Sequence, residues 1–303
     1  MEMPKEIKII EVGPRDGLQN ESKFLDTEKK ITLIHNLVES GFKEIEATSF
    51  VNPKWIPNLS DAEKVIQEVR DLPATFFALV PNERGYERAV NSGVDGITFV
   101  LSATDSHSKK NLNSTTQESL KQLAPLVQRA KKDQLQYRAS LSTVFGCPFE
   151  GNSGIVKIVD IVNELKDIGF KRIGLCDTIG VANPLQVFKW MIQLKKTFSD
   201  IEFELHFHDT YGRGLANVLA GIQAGVYSFD SSIGGLGGCP YAPGATGNIS
   251  TEDLVSLLSE MNIDTGIHHT KMLETSNILS NHMGKDLDSR IWKVNKSTST
   301  IKS

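Results

Sequence analysis

The sharpest chemical signal in the chain is the triplet His206-Phe207-His208. On an extended strand alternate residues share a face, so the two imidazoles point one way while Ile201, Phe203, Leu205 and Phe207 point the other. Two imidazoles at that spacing can bind one divalent cation. The plain alternative is a pair of polar residues at a strand end. Glu202 and Glu204 share the parity of the histidines, and their position leaves open whether they line an interior. Asp16, in Gly13-Pro14-Arg15-Asp16-Gly17, can add a carboxylate ligand or make an Asx turn. Asn248 can add a carbonyl oxygen or cap the helix that opens at TEDL. A mixed set of His, Asp, Asn and water suits Mg²⁺ or Mn²⁺, with Zn²⁺ as a further candidate. No pair of cysteines has structural-zinc spacing.

Arg15 beside such a site is a fixed cation with five donors. It can hold a carboxylate or a developing enolate oxygen, pair with an inward carboxylate such as Glu46, or do both. Glu46 shares parity with Glu44 and Thr48, and charge in an interior needs a partner or a function. Asp177 can orient a ligand histidine or cap the turn before Gly180. Residues 234–248 hold Gly234, Gly235, Gly237, Gly238, Gly244 and Gly247, a density that calls for special backbone angles. Such a loop can bind phosphate or close as a lid. Cys239 within it reads as a reactive thiolate or as an inert thiol. Cys147 and Cys176 read as packing residues, and His35, His268 and His269 as solvent-facing.

These groups need a frame. Eight short β-prone runs start at residues 7, 44, 74, 96, 137, 172, 202 and 228. Segments with helical spacing separate them, among them 27–41, 152–169 and 183–198, the last opening on Asn183-Pro184, a cap followed by proline at the first helical position. The βα rhythm predicts a parallel sheet, and eight units predict a closed (β/α)₈ barrel with extra C-terminal helices, at 251–262 and 271–284. A doubly wound open sheet is the rival. It is weakened because no GxGxxG follows the first strand. In a barrel, active-site residues sit at the C-terminal strand ends. Arg15, Asp16, Glu46, His107, Cys147, Asp177, the two histidines and the glycine-rich run all fall there. The expected division is one catalytic domain over 1–284 and a polar, flexible tail over 285–303.

Composition narrows the partners. Thirty-three Lys and Arg face 37 Asp and Glu in 303 residues, a net charge of -4. That leaves no electrostatic case for nucleic acid. No apolar run approaches the roughly 20 residues of a membrane span. The start MEMPKEIKII lacks a signal's apolar stretch, and three cysteines do not make a disulfide framework. The cytoplasm is the expected location.

VGPRDGLQNE (12–21), EATSFVNPKWIPN (46–58), FGCPFEG (145–151), DTIGVANP (177–184), HFHDTYG (206–212) and GGLGGCPYAPGATGN (234–248) together resemble the 3-hydroxy-3-methylglutaryl-CoA lyase family. The RDG and HxHDT parts are shared with a wider superfamily of Claisen-type barrel enzymes, and the cysteine-bearing glycine loop narrows the resemblance to the lyases. It implies a divalent cation on Asp16, His206, His208 and Asn248, and an acyl-CoA substrate. It implies cleavage to acetyl-CoA and acetoacetate, with leucine degradation as context by analogy. Arg15 would stabilise the enolate, Cys239 would be the loop thiol, and Glu46 and Asp177 would support the site. Asp16 or His206 would accept the hydroxyl proton. The expected substrate contacts are Arg15, Gln19, Ser49, His107 and Gly238. The resemblance is also compatible with a homodimer. Ser22 stands where lysine is common, with Lys23 one place on; Cys176 replaces a usual glycine, and Asp105 a common glutamate. These departures leave acyl-chain preference open. Other readings are a lyase for longer 3-hydroxy-3-alkylglutaryl-CoA, a Claisen synthase (such enzymes typically carry a further C-terminal domain), an amidohydrolase (whose HxH lies on the first strand), and a non-catalytic barrel that binds acyl-CoA.

Overall fold

A computed structural model describes residues 3–238 and 247–302. Eight parallel strands close on themselves in sequence order. They are β1 (Lys8–Glu11), β2 (Glu44–Ser49), β3 (Thr75–Val80), β4 (Gly96–Ser102), β5 (Gln136–Ser142), β6 (Arg172–Asp177), β7 (Glu202–Phe207) and β8 (Ser228–Ser231). β8 pairs with β1 from Lys8↔Ser228 to Glu11↔Ser231, which closes the (β/α)₈ barrel. The helices are α1 (Thr27–Glu39), α2 (Ala62–Val69), α3 (Glu83–Ser92), α4 (Asp105–Leu112), α5 (Thr116–Lys132), α6 (Ile155–Ile168), α7 (Pro184–Thr197), α8 (Gly214–Gln223), α9 (Thr251–Glu260), α10 (His269–Met283) and α11 (Arg290–Lys302). Among the described residues no helix is long and apolar enough to cross a membrane.

Local chemistry explains the helix starts. Asn183 caps α7 by accepting from the Gln186 N–H, with Pro184 in the first turn. Thr115 and Glu118 cap α5 reciprocally, each satisfying an amide the helix cannot. Outward strand residues such as Phe76, Phe99, Phe203 and Phe229 are buried under the helices. β5 ends at Ser142, three residues before the apolar run does, because Thr143 takes the left-handed conformation (φ 59°). That conformation is costly for a β-branched residue. Its hydroxyl meets Ser102 and Thr104 at 3.0 and 3.2 Å.

The inward faces are unlike an apolar core. Glu46, Arg138, Glu204 and Asp230 are all buried there. The Arg138 and Arg172 guanidiniums lie over the Phe77 ring, 5.5 and 5.2 Å from its centroid. Glu204 is interior and paired with both arginines, whereas Glu202 is exposed and meets Lys8 at 2.7 Å.

The segment 285–303, whose polar composition reads as a flexible tail, is helical over Arg290–Lys302. Leu287 and Trp292 are buried. The Asp253 carboxylate accepts from the Arg290 and Ile291 N–H groups at 3.1 and 2.9 Å. The Trp292 indole N–H donates to Asn277 at 2.8 Å and the Asp288 N–H to the Gly234 carbonyl at 3.0 Å; these partners lie elsewhere in the chain, so the composition of the segment does not register them.

Glu11 straps the barrel's closing seam. Its Oε1 accepts from the Gly13 and Ile233 N–H groups at 2.7 and 2.9 Å, and its Oε2 accepts from the Thr251 hydroxyl at 2.7 Å. Burial raises its pKa to about 8 from an ordinary 4.5. The folded chain therefore holds a proton that the unfolded chain releases. This stabilisation is complete below about pH 4.5 and is lost as the pH rises through about 8. Thermal melts of the chelated protein from about pH 6 to 9 should show a falling midpoint, with a shallower fall in Glu11→Gln. Equal slopes in the two proteins would contradict this account.

Candidate metal centre and active site

The C-terminal mouth of the barrel holds a cavity of about 730 Å³. Its wall on the β1 and β7 side carries Arg15, Asp16, His206 and His208. After β1 the chain makes one wide helical turn, in which the N–H groups of Arg15, Asp16 and Gly17 all donate to the Val12 carbonyl. That turn aims Arg15 and Asp16 into the mouth. One ligand atom from each of Asp16, His206 and His208 lies within 4.8 Å of the others. Each histidine Nε2 is 3.9 Å from Asp16 Oδ2.

Asn248 completes the group. Its Nδ2 donates to Asp16 Oδ2 at 2.7 Å and to the Leu236 carbonyl at 3.0 Å. Its Oδ1 is buried and has no hydrogen-bond partner among the described residues. A buried carbonyl oxygen without a partner is costly, and a cation beside it removes the cost. Gly237 makes room for this amide: a Cβ there would fall 2.5 Å from Asn248 Nδ2. The donor set of one carboxylate, two imidazoles and one amide oxygen fits a divalent cation.

Asp177 makes the bonds of its capping role. Its carboxylate accepts from the Val181 and Ala182 N–H groups at 2.9 and 3.0 Å. It caps the turn, and burial raises its pKa to about 6. The partner of His206 is Asp230, which the sequence reading did not single out; its Oδ2 is 3.1 Å from His206 Nδ1. β7 and β8 align His206 with Asp230, so the pair is adjacent by register. An Nδ1–H donated to Asp230 leaves the Nε2 lone pair for the cation. Burial works against a charged imidazole, yet the Asp230 hydrogen bond and the Asp16 charge raise the His206 pKa. Burial likewise opposes ionised Asp16, and Arg15 with the two imidazoles holds it well below its usual range.

Arg15 makes the expected pairing with an inward carboxylate. Its Nε donates to Glu46 Oε1, and an NH group reaches Asp16 Oδ1 at 2.5 Å. Glu46 Oε2 in turn accepts from Arg138 at 2.7 Å. Arg138 was also not singled out. It donates further to Glu204 at 2.9 Å, Asp230 at 3.0 Å and the Thr98 hydroxyl at 3.0 Å. Strand parity held the signal for both missed residues. Arg138 alternates with outward Tyr137 and Ala139, and Asp230 with outward Phe229, so each had to face the interior.

Gln19, His107 and Gly238 line the cavity with Arg15. The Asn58 amide donates to the Leu18, Gln19 and Glu21 carbonyls at 3.1, 3.2 and 2.8 Å, which fixes the loop that carries Gln19. His107 Nδ1 is 2.9 Å from the Ser102 hydroxyl, and burial lowers its pKa to about 4, so it is neutral. Ser49 is wholly buried on β2 and is not among the lining residues. Cys176, expected only to pack, lines the cavity. Asp105 accepts from the Thr116 N–H at 2.9 Å, a local role at the start of α5. Cys239 lies outside the described residues.

A closed (β/α)₈ barrel with an Asp-His-His group at its C-terminal mouth, suited to a divalent cation, defines the class of metal-binding barrel enzymes. The HMGL-like family matches residues 6–279. The chain belongs to that family and groups within it with the hydroxymethylglutaryl-CoA lyases, which are carbon–carbon lyases. It is 46% identical over 299 residues, 98% of this chain and 100% of the relative, to the hydroxymethylglutaryl-CoA lyase YngG of Bacillus subtilis (strain 168). A crystal structure of a Bacillus subtilis HMG-CoA lyase superposes with a TM-score of 0.95 at 46% identity, covering 98% of this chain and 100% of that one. An HMG-CoA lyase from Acinetobacter baumannii, in complex with coenzyme A and 3-methylmalate, superposes with a TM-score of 0.90 at 40% identity over 95% of each chain.

Replacing Asp230 by asparagine removes the anionic acceptor behind His206 while keeping its size. Calorimetric titration should show divalent-cation binding weakened about 10–100-fold, with the circular dichroism spectrum unchanged. Wild-type affinity would deny Asp230 this role. Arg138→Met leaves three buried carboxylates without their common partner. Denaturant unfolding should show a loss of about 3–5 kcal/mol.

Proposed function

We propose that this protein cleaves 3-hydroxy-3-methylglutaryl-CoA to acetyl-CoA and acetoacetate, with Mg²⁺ or Mn²⁺ at Asp16, His206, His208 and Asn248. The observation that carries this reading is the buried Asn248 Oδ1, without a hydrogen-bond partner among the described residues, beside the Asp-His-His group, with Arg15 in the same cavity. A divalent cation there supplies Lewis acidity, which lowers the pKa of an alcohol facing it.

Of the two candidate bases, Asp16 takes the proton of the substrate's tertiary hydroxyl, because a carboxylate keeps a spare lone pair while His206 has Nδ1–H on Asp230 and Nε2 committed to the cation. The electron pair of that O–H bond becomes the ketone of acetoacetate as the C2–C3 bond breaks. The C2–C3 pair becomes the enolate of acetyl-CoA. The Arg15 guanidinium, braced by Glu46 and Asp16, donates to the enolate oxygen. Bracing matters because an arginine already held in place loses little freedom when charge develops. The Cys239 thiol, carried over from the family resemblance, delivers the proton that C2 needs. The abstracted proton then returns to the thiolate. Gln19 and neutral His107 offer uncharged contacts to the substrate, and Gly238 lets the loop backbone approach it. The CoA moiety is in keeping with a relative that binds coenzyme A, and a homodimer belongs to the same reading.

Incubation with 3-hydroxy-3-methylglutaryl-CoA should yield acetyl-CoA and acetoacetate in equal amounts, stop on chelation and resume when Mg²⁺ or Mn²⁺ is restored. Metal-replete, reduced protein that forms neither product would reject this substrate. Arg15→Gln should cost about 3–4 kcal/mol in the barrier, or two to three orders of magnitude in kcat. Cys239→Ala should lower kcat with cation affinity unchanged; normal turnover would reduce the loop to a lid.

A further inference from the structure

The cavity has two unlike walls. On the β1, β7 and β8 side the inward groups are polar: Arg15, Asp16, His206, His208 and, beneath them, Asp230. Leu79 on β3 and Val100 on β4 line the cavity across from them; Cys176 on β6 lines it beside His206, and Ser140 and Ser142 of β5 stand between Val100 and Cys176. Alternation places each one step above the interior ion network. Leu79 follows Phe77, whose ring lies beneath two guanidiniums. Val100 follows Thr98, whose hydroxyl donates to Glu46 at 2.6 Å. Cys176 is register-paired with His206. Its sulfur is 3.3 Å from the Ser140 hydroxyl, and burial pushes its pKa up to about 12. It is thus a neutral thiol that behaves as a small apolar group.

Substrate stereochemistry gives this second wall a task. The tertiary carbon carries four substituents at tetrahedral angles. Under the proposed function, the hydroxyl and the carboxylate arm face the Asp16–His206–His208 cluster. The thioester arm meets Arg15 and leaves through the mouth with its CoA. The fourth substituent, the alkyl group, is left the side of the cavity that carries the apolar side chains Leu79 and Val100 and the thiol of Cys176.

We propose that Leu79, Val100 and Cys176 form the wall that receives the 3-alkyl group and so sets which 3-hydroxy-3-alkylglutaryl-CoA is accepted. Two branched side chains and a thiol leave room for a small substituent, which favours methyl over ethyl and butyl. One methylene in an apolar pocket is worth roughly 10–200-fold in discrimination.

This inference rests on the proposed function, and its test separates the two. Mn²⁺-loaded wild type, Val100→Ala, Leu79→Ala and Cys176→Leu are assayed with the 3-methyl, 3-ethyl and 3-butyl thioesters and with 3-hydroxyglutaryl-CoA, which has no alkyl group. The butyl-to-methyl ratio of kcat/KM should rise at least tenfold in Val100→Ala and Leu79→Ala. In Cys176→Leu the methyl thioester should lose at least tenfold relative to the alkyl-free one. Ratios within about twofold of wild type in all three would overturn the proposal. If the truncations do not fold, Val100→Thr keeps the volume, and its hydroxyl should disfavour the methyl thioester relative to the alkyl-free one; an unchanged ratio there also overturns it. Wild type that cleaves none of these thioesters refutes the lyase reading instead. The wall is then judged by calorimetric titration of the free 3-hydroxy-3-alkylglutarates, whose chain-length order must shift in the same variants.

Discussion

Two working groups at the mouth of this barrel, Arg15 and His206, lean on one buried guanidinium. Arg138 holds Glu46, Glu204 and Asp230 together in the interior. Through Glu46 it braces Arg15, and through Asp230 it sets His206. Two groups that work at the mouth, a cation and an imidazole, therefore share one support a layer below. Burial opposes its charge, but the three carboxylates raise its pKa well above the ordinary value. Charges taken out of water are tolerated only when geometry and hydrogen bonds are complete. Here the planar fork of arginine meets several carboxylates at once, which a lysine's point charge could not match.

The same network explains why a cation belongs at its upper end. Apart from the Lys8–Glu202 pair at the bottom rim, the connected network sets Asp16, Glu44, Glu46, Glu204 and Asp230 against Arg15, Arg138 and Arg172. Five formal negative charges face three positive ones. The excess equals the charge of a divalent ion, and it is nearest to balance when such an ion sits against Asp16.

Much of this was legible in the chain itself. The eight β-prone runs became the eight strands, because short runs of branched and aromatic residues between capped helices leave few other packings. The parity of His206 and His208 read correctly because period-2 alternation is local. What escaped depended on neighbours distant in sequence. Asp177 and Asp230 look alike as carboxylates at strand ends, and only the register of β7 on β8 decides which one backs the histidine. Arg138 showed its inward parity, but its partners come from three other strands. The end of β5 turned on one strained residue, Thr143, inside an apolar run. The helix over the last residues escaped because its polar sequence does not show the partners, Asp253 and Asn277 among them, that hold it.

The seam between the first and last strands has a consequence for how the site comes into being. Asp16 and Asn248 meet although 232 positions separate them, and Glu11 clasps both loops from below. A chain emerging from the ribosome can hold every strand but the eighth and still lack the full cation group. Ring closure is a long-range event with a large entropic cost. The four-donor site is thus a readout of completed assembly: Asp16, His206 and His208 precede the eighth strand, and Asn248 joins them only when the ring has closed.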